Sequence, residues 1–264
     1  MTAQEAAGWL ELTEIMRRLR GVDGCPWDKE QTHESLKRYL LEESYEVLDA
    51  IDAADDGALC DELGDVLLQV IFHAQIAAEQ GRFTIKDVLN AVNNKMKRRH
   101  PHVFADGSAE NSAAVLTQWE AIKAGEKNAN GDKRQIMKLN YNLPALLLAQ
   151  KVQDKAARVG FDWPDISGPW QKIYEELDEL KQAKSREEQR GELGDTIFAL
   201  VNLARFMNLD AEDSLRHTAK KFVTRFNYIE SRLAESGQTW ENQTLLELDA
   251  LWEEAKNSEL RTQN

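Results

Sequence analysis

The feature that most constrains the fold is an internal duplication, in which five motifs occur twice in the same order. The clearest pair is EESYE followed by DELGD in the first half, and EELDE followed by GELGD in the second. A turn that ends in tryptophan precedes each pair, and a basic segment and a Trp-Glu-x-x-Lys segment follow it. Such repeats indicate two copies of one unit of about 110–120 residues, close to the usual domain size. We therefore predict an N-terminal domain at 1–127, a linker at 128–142 and a C-terminal domain at 143–264.

Both copies are predicted to be helical bundles, so the predicted fold is all-α with two domains in tandem. Apolar residues recur three and four positions apart, and runs of alternating β-branched residues are absent. Thr84 with Asp87 and Thr244 with Glu247 are helix-start signals, and Pro101 stops a helix. Helices are expected at 9–20, 33–54, 58–80, 84–99 and 113–127, and then at 143–159, 169–184, 187–207, 211–236 and after Thr244.

Each copy carries carboxylates on two predicted helices. Residues three and four apart share a helix face, so the acidic side chains converge if the two helices pack antiparallel. Crowded like charges repel one another, and a bound cation removes that cost. All-oxygen ligation suits Mg²⁺ or Mn²⁺ rather than zinc, and Mg²⁺ commonly binds substrate phosphates as well. The candidate ligands are Glu42, Glu43, Glu46, Glu62 and Asp65 in the first copy and Glu175, Glu176, Glu179, Glu192 and Asp195 in the second.

A solvated acidic helix face is the alternative interpretation, because Glu is a strong helix former. The Gly-Asp step inside an apolar helix argues against it, since Gly costs about 1 kcal/mol there and a semi-buried Asp needs a partner. This step occurs in both copies, which favours the metal site. In the helix predicted at 58–80, the residues expected to be buried are Leu63, Val66, Leu67, Val70 and Ile71.

Cationic and aromatic side chains follow the carboxylates in both copies. Lys221 and Arg225 lie four apart on one predicted helix face and could bind phosphate oxygens. The alternative for them is a solvated basic face. Tryptophans are candidates to stack on a base, with core packing as the alternative, and stacking tolerates every base. The further substrate-binding candidates are Lys95, Arg99, Trp119, Trp163 and Trp252.

The formal net charge of −13 argues against a nucleic-acid backbone or an anionic membrane surface as the main partner. An acidic protein that binds an anionic substrate must bring a cation to it. The two cysteines suggest neither a disulfide framework nor a zinc site. We see neither a signal peptide nor an apolar run that could span a bilayer, so a cytoplasmic protein is expected. No Gly-rich phosphate loop occurs, which excludes a P-loop mechanism.

These motifs together resemble the MazG family of nucleoside triphosphate pyrophosphohydrolases. The resemblance rests on EExxE…ExxD, on CPWDKEQTH followed by Tyr39, on KMKRRHPHVF and on the tandem layout, and it covers nearly the whole chain. EExxE…ExxD alone also marks all-α dUTPases and phosphoribosyl-ATP pyrophosphohydrolases. The resemblance implies small helical bundles, a homodimer, and Mg²⁺-dependent hydrolysis of a nucleoside triphosphate to the monophosphate and pyrophosphate. Broad base tolerance is expected because stacking on tryptophan has low base selectivity.

The C-terminal copy is expected to be the main catalyst, because its basic helix continues past Arg225 while His100–Pro101 breaks the N-terminal one. Glu175 is the candidate to orient or deprotonate the attacking water, and Lys221 and Arg225 are expected to neutralise transition-state charge. The N-terminal site is then slower, more selective or regulatory. Two alternatives remain: a narrower house-cleaning enzyme that takes dUTP or non-standard nucleotides, and a non-enzymatic nucleotide sensor.

Overall fold

A computed structural model describes residues 2–129, 137, 139 and 141–262. All regular secondary structure in these residues is helical, which confirms the all-α prediction. The chain divides into two compact units, Met1–Gly131 and Asp132–Asn264. The exact domain boundaries stay a prediction, because most of 128–142 lies outside the described residues. None of the helices in the described ranges is long and apolar enough to cross a membrane.

The first unit contains seven helices within the described residues. The first helix starts at Ala3, earlier than predicted, because Thr2 and Glu5 form a capping box at its start. A short helix after Cys25 and another that begins at Pro101 were not predicted from the sequence. The helices are α1 (Ala3–Leu19), α2 (Pro26–Glu30), α3 (Lys37–Ala53), α4 (Asp56–Glu79), α5 (Ile85–Arg99), α6 (Pro101–Phe104) and α7 (Ser112–Ala129).

Helices α3 and α4 pack against each other as an antiparallel hairpin. Ala54 ends α3 in the left-handed conformation, with a φ of 51°. Asp55 then caps α4, since its Oδ1 accepts hydrogen bonds from the backbone N–H groups of Gly57 at 2.9 Å and Ala58 at 3.0 Å. Two residues therefore reverse the chain, and the acidic segments of the two helices come to lie side by side.

The core of the first unit consists of Met16 from α1, Leu36, and Ile71, Phe72 and Ile76 from α4. The prediction that Leu63 and Val70 are buried is wrong, because both side chains are exposed. They are seven residues apart and share a face of α4, whereas Ile71, Phe72 and Ile76 form the face toward the core. The counterparts of Leu63 and Val70 in the second copy are also exposed, as described below.

The second unit is built around helices α9 and α10, with a small core of Ile173, Ala199 and Leu203. Ser185 and Glu188 form a capping box that starts α10. A short 3₁₀ helix, Trp240–Asn242, precedes the last helix, which Thr244 and Glu247 begin as predicted. The helices are α8 (Ala145–Ala157), α9 (Ser167–Gln182), α10 (Arg186–Phe206), α11 (Ala211–Glu235) and α12 (Leu245–Thr262).

Candidate functional site

In the second unit, three predicted metal ligands converge from two helices. Glu176 and Glu179 lie on α9 and Glu192 lies on α10, and one carboxylate oxygen of each is within 4.8 Å of the others. Glu176 is only 4% exposed. Desolvation raises the pKa of Glu192, and the negative charges of Glu179 and Glu176 raise it further. The three carboxylates therefore repel one another.

The first unit contains a corresponding cluster of Glu43 on α3 with Glu62 and Asp65 on α4, again within 4.8 Å. Desolvation followed by the charge of Asp65 raises the pKa of Glu43. The pKa of Glu62 is raised by desolvation and then by Glu46, which forms a hydrogen bond with it. Both copies of the repeat thus form the same kind of site.

Four of the ten predicted ligands lie outside these two clusters of three. Glu42 and Glu175 are exposed, Glu46 adjoins Glu62, and Asp195 adjoins Glu192. The expectation that the aspartates are semi-buried is wrong, since Asp65 and Asp195 are both exposed.

The Gly-Asp step therefore gives no support to the metal interpretation within either unit. A Cβ atom added at Gly64 or Gly194 would meet nothing within 4 Å. The helix packing inside each unit does not require these glycines. The metal interpretation rests instead on the convergence of the carboxylates themselves.

Each cluster can hold a divalent metal ion. Its donors are carboxylate oxygens, which are the ligands that hard divalent cations prefer. The raised pKa values of Glu43 and Glu192 arise partly from mutual repulsion, and a bound cation would relieve it. The donor chemistry and the electrostatics of both sites therefore fit such an ion.

A cavity of about 550 Å³ opens beside the carboxylate cluster of the second unit. Glu176 and Asp195 belong to its wall, so the acidic site and the cavity are continuous. The aromatic part of the wall includes Phe161, Trp163 and Phe198, while Gln153, Asn202 and Arg205 contribute polar groups. Such a combination of flat apolar surfaces and a few polar groups is typical of small-molecule sites.

The indole ring of Trp163 can lie in this wall because the residue beside it is a glycine. Gly168 lies under its indole ring, and a Cβ atom there would come within 2.6 Å of the ring atom Cδ2. Trp27, the counterpart in the first unit, is also half-exposed and contacts Tyr39 edge-on, with ring centroids 5.9 Å apart. Trp163 is the tryptophan that the structure brings to the cavity.

Lys172 is a residue of this site that the sequence reasoning missed. Its ammonium nitrogen lies 2.8 Å from Glu175 and 2.5 Å from Glu176, and it lines the cavity. These two carboxylates raise the pKa of Lys172, so it stays charged. The available signal was its spacing of three and four residues from the two glutamates. Tyr39 takes this position in the first copy, so the two sites differ in charge.

The basic and aromatic candidates form a second group in each unit. The Arg225 guanidinium lies over the Trp252 ring, 5.5 Å from its centroid, and Arg99 lies over Trp119 at 5.3 Å. Arg99 also donates a hydrogen bond of 2.7 Å to Glu126. The same Arg–Trp pair thus recurs in both copies, as the repeat predicts.

The candidate phosphate ligands of the second unit are not part of the described wall of the cavity. Lys221 is half-buried on α11, and its counterpart Lys95 is half-buried on α5. Helix α11 packs mainly against α12 and α8. Among the described residues, the structure therefore groups Arg225 with Trp252. The cavity is lined by residues of α8, α9 and α10, by the turn before α9 and by Met137.

Comparison with known proteins agrees with this architecture. Residues 31–104 match the model of the MazG nucleotide pyrophosphohydrolase domain. The nucleoside triphosphate pyrophosphohydrolase/pyrophosphatase MazG of Thermotoga maritima is 49% identical over 249 residues, which are 94% of this chain and 96% of that protein. The nucleoside triphosphate pyrophosphohydrolase of Escherichia coli is 44% identical over 259 residues, or 94% and 97% of the two chains.

A shorter match has the same name. The nucleoside triphosphate pyrophosphohydrolase of Mycobacterium tuberculosis is 44% identical over 160 residues, which are 60% of this chain and 47% of that protein. The two nearly full-length relatives extend over both units described above. With its duplicated helical units and paired carboxylate clusters, the chain belongs to the MazG family of nucleoside triphosphate pyrophosphohydrolases.

Proposed function

We propose that this protein hydrolyses nucleoside triphosphates to the nucleoside monophosphate and pyrophosphate with Mg²⁺, and that the C-terminal unit is its main catalyst. The observation that carries the proposal is the continuity of the carboxylate cluster with a cavity of about 550 Å³, through Glu176 and Asp195. A metal ion at the carboxylates would hold the polyphosphate of the substrate, and the aromatic wall of the cavity can receive its base. The names of the relatives supply the reaction.

Glu176, Glu179, Glu192 and Asp195 would hold the Mg²⁺ ion. When bound, Mg²⁺ supplies charge neutralisation and Lewis-acid polarisation of the phosphoryl group. Glu175 is proposed as the general base, since it is exposed to water and adjacent to the ligand Glu176. Its carboxylate takes a proton from water, the water oxygen bonds to phosphorus, and the anhydride bond between the monophosphate and the pyrophosphate breaks.

Two sets of cations support this chemistry in the proposal. Lys172 is charged and lines the cavity beside Glu176, where it can bind a phosphate oxygen. Lys221 and Arg225 are proposed to neutralise transition-state charge. Their role rests on the repeat and on the family pattern. The protein needs these cations because its own formal net charge of −13 would otherwise repel the anionic substrate.

A homodimer is part of the proposal, because both units expose the same apolar face. Leu63 and Val70 on α4 correspond to Leu193 and Leu200 on α10, and all four side chains are exposed. Burying such faces against a second copy is the usual reason for apolar side chains at the surface of a helix pair. We also propose a cytoplasmic location, which suits the two free thiols of Cys25 and Cys60.

The test is product identity together with matched variants of the two sites. The protein is incubated with each nucleoside triphosphate and Mg²⁺, and the products are separated by anion exchange. We expect monophosphate and pyrophosphate. Glu176→Gln or Asp195→Asn should lower kcat by at least about 100-fold, whereas Glu43→Gln or Asp65→Asn should retain most of the turnover.

Four results would contradict the proposal in different ways. Diphosphate and orthophosphate as products would reject the pyrophosphohydrolase reaction. Loss of turnover only in the Glu43 and Asp65 variants would assign catalysis to the N-terminal unit. Tight nucleotide binding without hydrolysis would favour the sensor alternative, and turnover confined to dUTP or modified bases would favour the house-cleaning alternative.

A further inference from the structure

We infer that Lys172 is an internal counter-ion that competes with the metal ion for the carboxylates of the C-terminal cluster. Its ammonium group must leave Glu176 before a metal ion can bind there, so the C-terminal cluster should bind Mg²⁺ more weakly than the N-terminal cluster of the same chain. The inference rests on the proposed function, because it takes the two clusters as metal sites. It adds an order in which they fill, which the motif shared by both clusters cannot give.

Lys172 is bound to two carboxylates at once, and one of them belongs to the cluster. Its Nζ lies 2.8 Å from an oxygen of Glu175 and 2.5 Å from an oxygen of Glu176. The spacing of three and four residues along α9 permits both contacts. Within the described part of the chain, no other lysine or arginine forms an ion pair with Glu176. The ammonium group of Lys172 is therefore the counter-ion of this buried carboxylate.

Of these two partners, the lysine is the one that can move. The Glu176 side chain is only 5% exposed, whereas the Lys172 side chain is 38% exposed. A lysine has a flexible stem and a strongly hydrated ammonium group, so solvent can receive it. A carboxylate buried between α9 and α10 has no such alternative, because its charge needs a partner. Displacement of Lys172 therefore leaves Glu176 in place for a new cation.

Competition between Lys172 and a metal ion follows from their charges. Two cations at one carboxylate are close together and repel each other, so both cannot neutralise Glu176 at the same time without a cost. Glu176 must also give up its existing ion pair when it accepts the metal ion. Both effects weaken metal binding at the C-terminal cluster. The same displacement frees Glu175, the proposed general base, from its pair with Lys172.

The N-terminal cluster has no such competitor within the described residues. Tyr39 occupies the repeat position of Lys172, and its hydroxyl group accepts a hydrogen bond of 2.8 Å from Arg38 Nη2. The Arg38 guanidinium lies over the Tyr39 ring, 4.5 Å from its centroid. Among the described residues, no lysine or arginine forms an ion pair with the three carboxylates of this cluster. Their negative charge is therefore available to a metal ion.

The two clusters should fill in order as the Mg²⁺ concentration rises. Between the two dissociation constants, the N-terminal cluster holds a metal ion while Lys172 still occupies the carboxylates of the C-terminal unit. Because the C-terminal unit is the proposed main catalyst, its turnover should need the higher of the two Mg²⁺ concentrations. One chain thus responds to two ranges of Mg²⁺ concentration through a single difference at one repeat position.

The experiment measures binding of Mn²⁺, which takes the same oxygen ligands as Mg²⁺, to the full-length protein without nucleotide. The electron paramagnetic resonance signal of the free ion gives the bound fraction. We expect two classes of site whose dissociation constants differ by about tenfold, equivalent to about 1.4 kcal/mol. Glu62→Gln should weaken the tighter class, and Glu192→Gln should weaken the other. Lys172→Met, which keeps the aliphatic stem, should tighten the weaker class by about tenfold.

Two further variants test whether the position of the lysine is responsible. Lys181→Met removes a lysine of the same helix that pairs with Asp178 outside the cluster, and it should leave both classes unchanged. Tyr39→Lys places a lysine at the same repeat position of the first unit, and it should weaken the tighter class. Substitutions at one repeat position should thus move the two affinities in opposite directions.

Two outcomes would overturn the inference: a C-terminal cluster that binds Mn²⁺ as tightly as the N-terminal one or more tightly, or an unchanged weaker class in Lys172→Met. The wild type and the two glutamine variants give the first result, so it decides the matter even if Lys172→Met does not fold. A protein that binds Mn²⁺ in the expected two classes but hydrolyses no triphosphate would reject the proposed function alone. Absence of Mn²⁺ binding at either cluster would reject both.

Discussion

At the residue scale, an arginine fixes the protonation of two histidines in the first unit. The Arg82 guanidinium donates to Nε2 of His33, and because Arg has no acceptor, that nitrogen must be unprotonated. The proton of His33 is then on Nδ1, from which it donates to Nδ1 of His73 at 2.7 Å. Both rings are neutral in this arrangement, and they stack with centroids 5.0 Å apart.

Protonation of His73 should therefore oppose folding. Burial, and then the proximity of His33, lowers the pKa of His73 below its ordinary value. The unfolded chain binds this proton at a higher pH than the folded chain, so stability falls as the pH drops below about 6.5. We expect the urea midpoint to decrease between pH 7.5 and pH 5.5, and His73→Gln should reduce this decrease.

The control for this prediction is His217→Gln, which removes an exposed histidine on α11. It should leave the pH dependence of the midpoint as it is in the wild type. An equal flattening in both variants would mean that the dependence does not come from the His33–His73 pair.

Lys172 should stabilise the protein most when no metal is present. Without its ammonium group, the buried carboxylate of Glu176 loses a partner at 2.5 Å. Because Lys172 itself is partly exposed, we expect Lys172→Met to cost only about 1–2 kcal/mol. This should lower the melting temperature by a few degrees in EDTA, and Mg²⁺ should raise it by more in the variant than in the wild type.

Lys181→Met is the matched control, since Lys181 pairs with Asp178 on the same helix but both side chains are exposed. Differential scanning calorimetry in EDTA and in Mg²⁺ measures both variants. Equal losses in the two variants would show that Glu176 does not depend on Lys172.

The carboxylate ligands could be predicted from the sequence because helical spacing brings those of each helix to one face, and a short turn joins the two helices. Lys172 could have been found by the same rule. An apolar side chain indicates that its helix face is covered, but it does not indicate which element covers it. The burial of Leu63 was therefore predicted wrongly.

At the scale of elements, the helix hairpins α3–α4 and α9–α10 are what create the two acidic sites. The starts of two other helices, α5 and α12, were readable from local sequence, since the capping chemistry of Thr84 and Thr244 involves residues three positions away. The short helices after Cys25 and His100 were not, because each begins with proline and lasts only five and four residues. The position of Trp163 was also out of reach, since it depends on close packing against α9.

The contact between Trp163 and the start of α9 yields a prediction. Gly168→Ala would place a Cβ atom 2.6 Å from the indole ring, so the ring must move out of the cavity wall. We expect a loss of about 1–3 kcal/mol in the free energy of unfolding and a higher KM for nucleotide. Urea unfolding and initial rates measure the two effects.

Gly191→Ala provides the comparison, because a Cβ atom at Gly191 in α10 would meet nothing within 4 Å. Alanine favours helix over glycine, so this variant should be more stable by about 0.5–1 kcal/mol. If Gly168→Ala is equally harmless, the indole does not depend on the missing side chain.

At the scale of the whole molecule, both units leave equivalent apolar side chains at the surface. Val70 is 38% exposed and its counterpart Leu200 is 48% exposed. Because the same face is apolar in both copies of the repeat, one mode of association can account for both. The sequence alone could not locate this face, since the apolar stripe of a helix is the same whether a neighbouring helix or a second chain covers it.

Disruption of this face should convert a dimer into monomers without unfolding either unit. Val70→Glu and Leu200→Glu together place charges on both copies of the face, and the charges must be desolvated if two chains associate. We expect the wild type to sediment at twice the 30.1 kDa chain mass and the double variant at 30.1 kDa. Leu215→Glu is the control, because Leu215 is an exposed leucine of α11 outside this face, and it should remain dimeric. A wild type that sediments as a monomer, or a double variant that stays dimeric, would remove these two helices from the interface. Since each unit contributes one substitution, the two single variants then show whether α4, α10 or both carry the association.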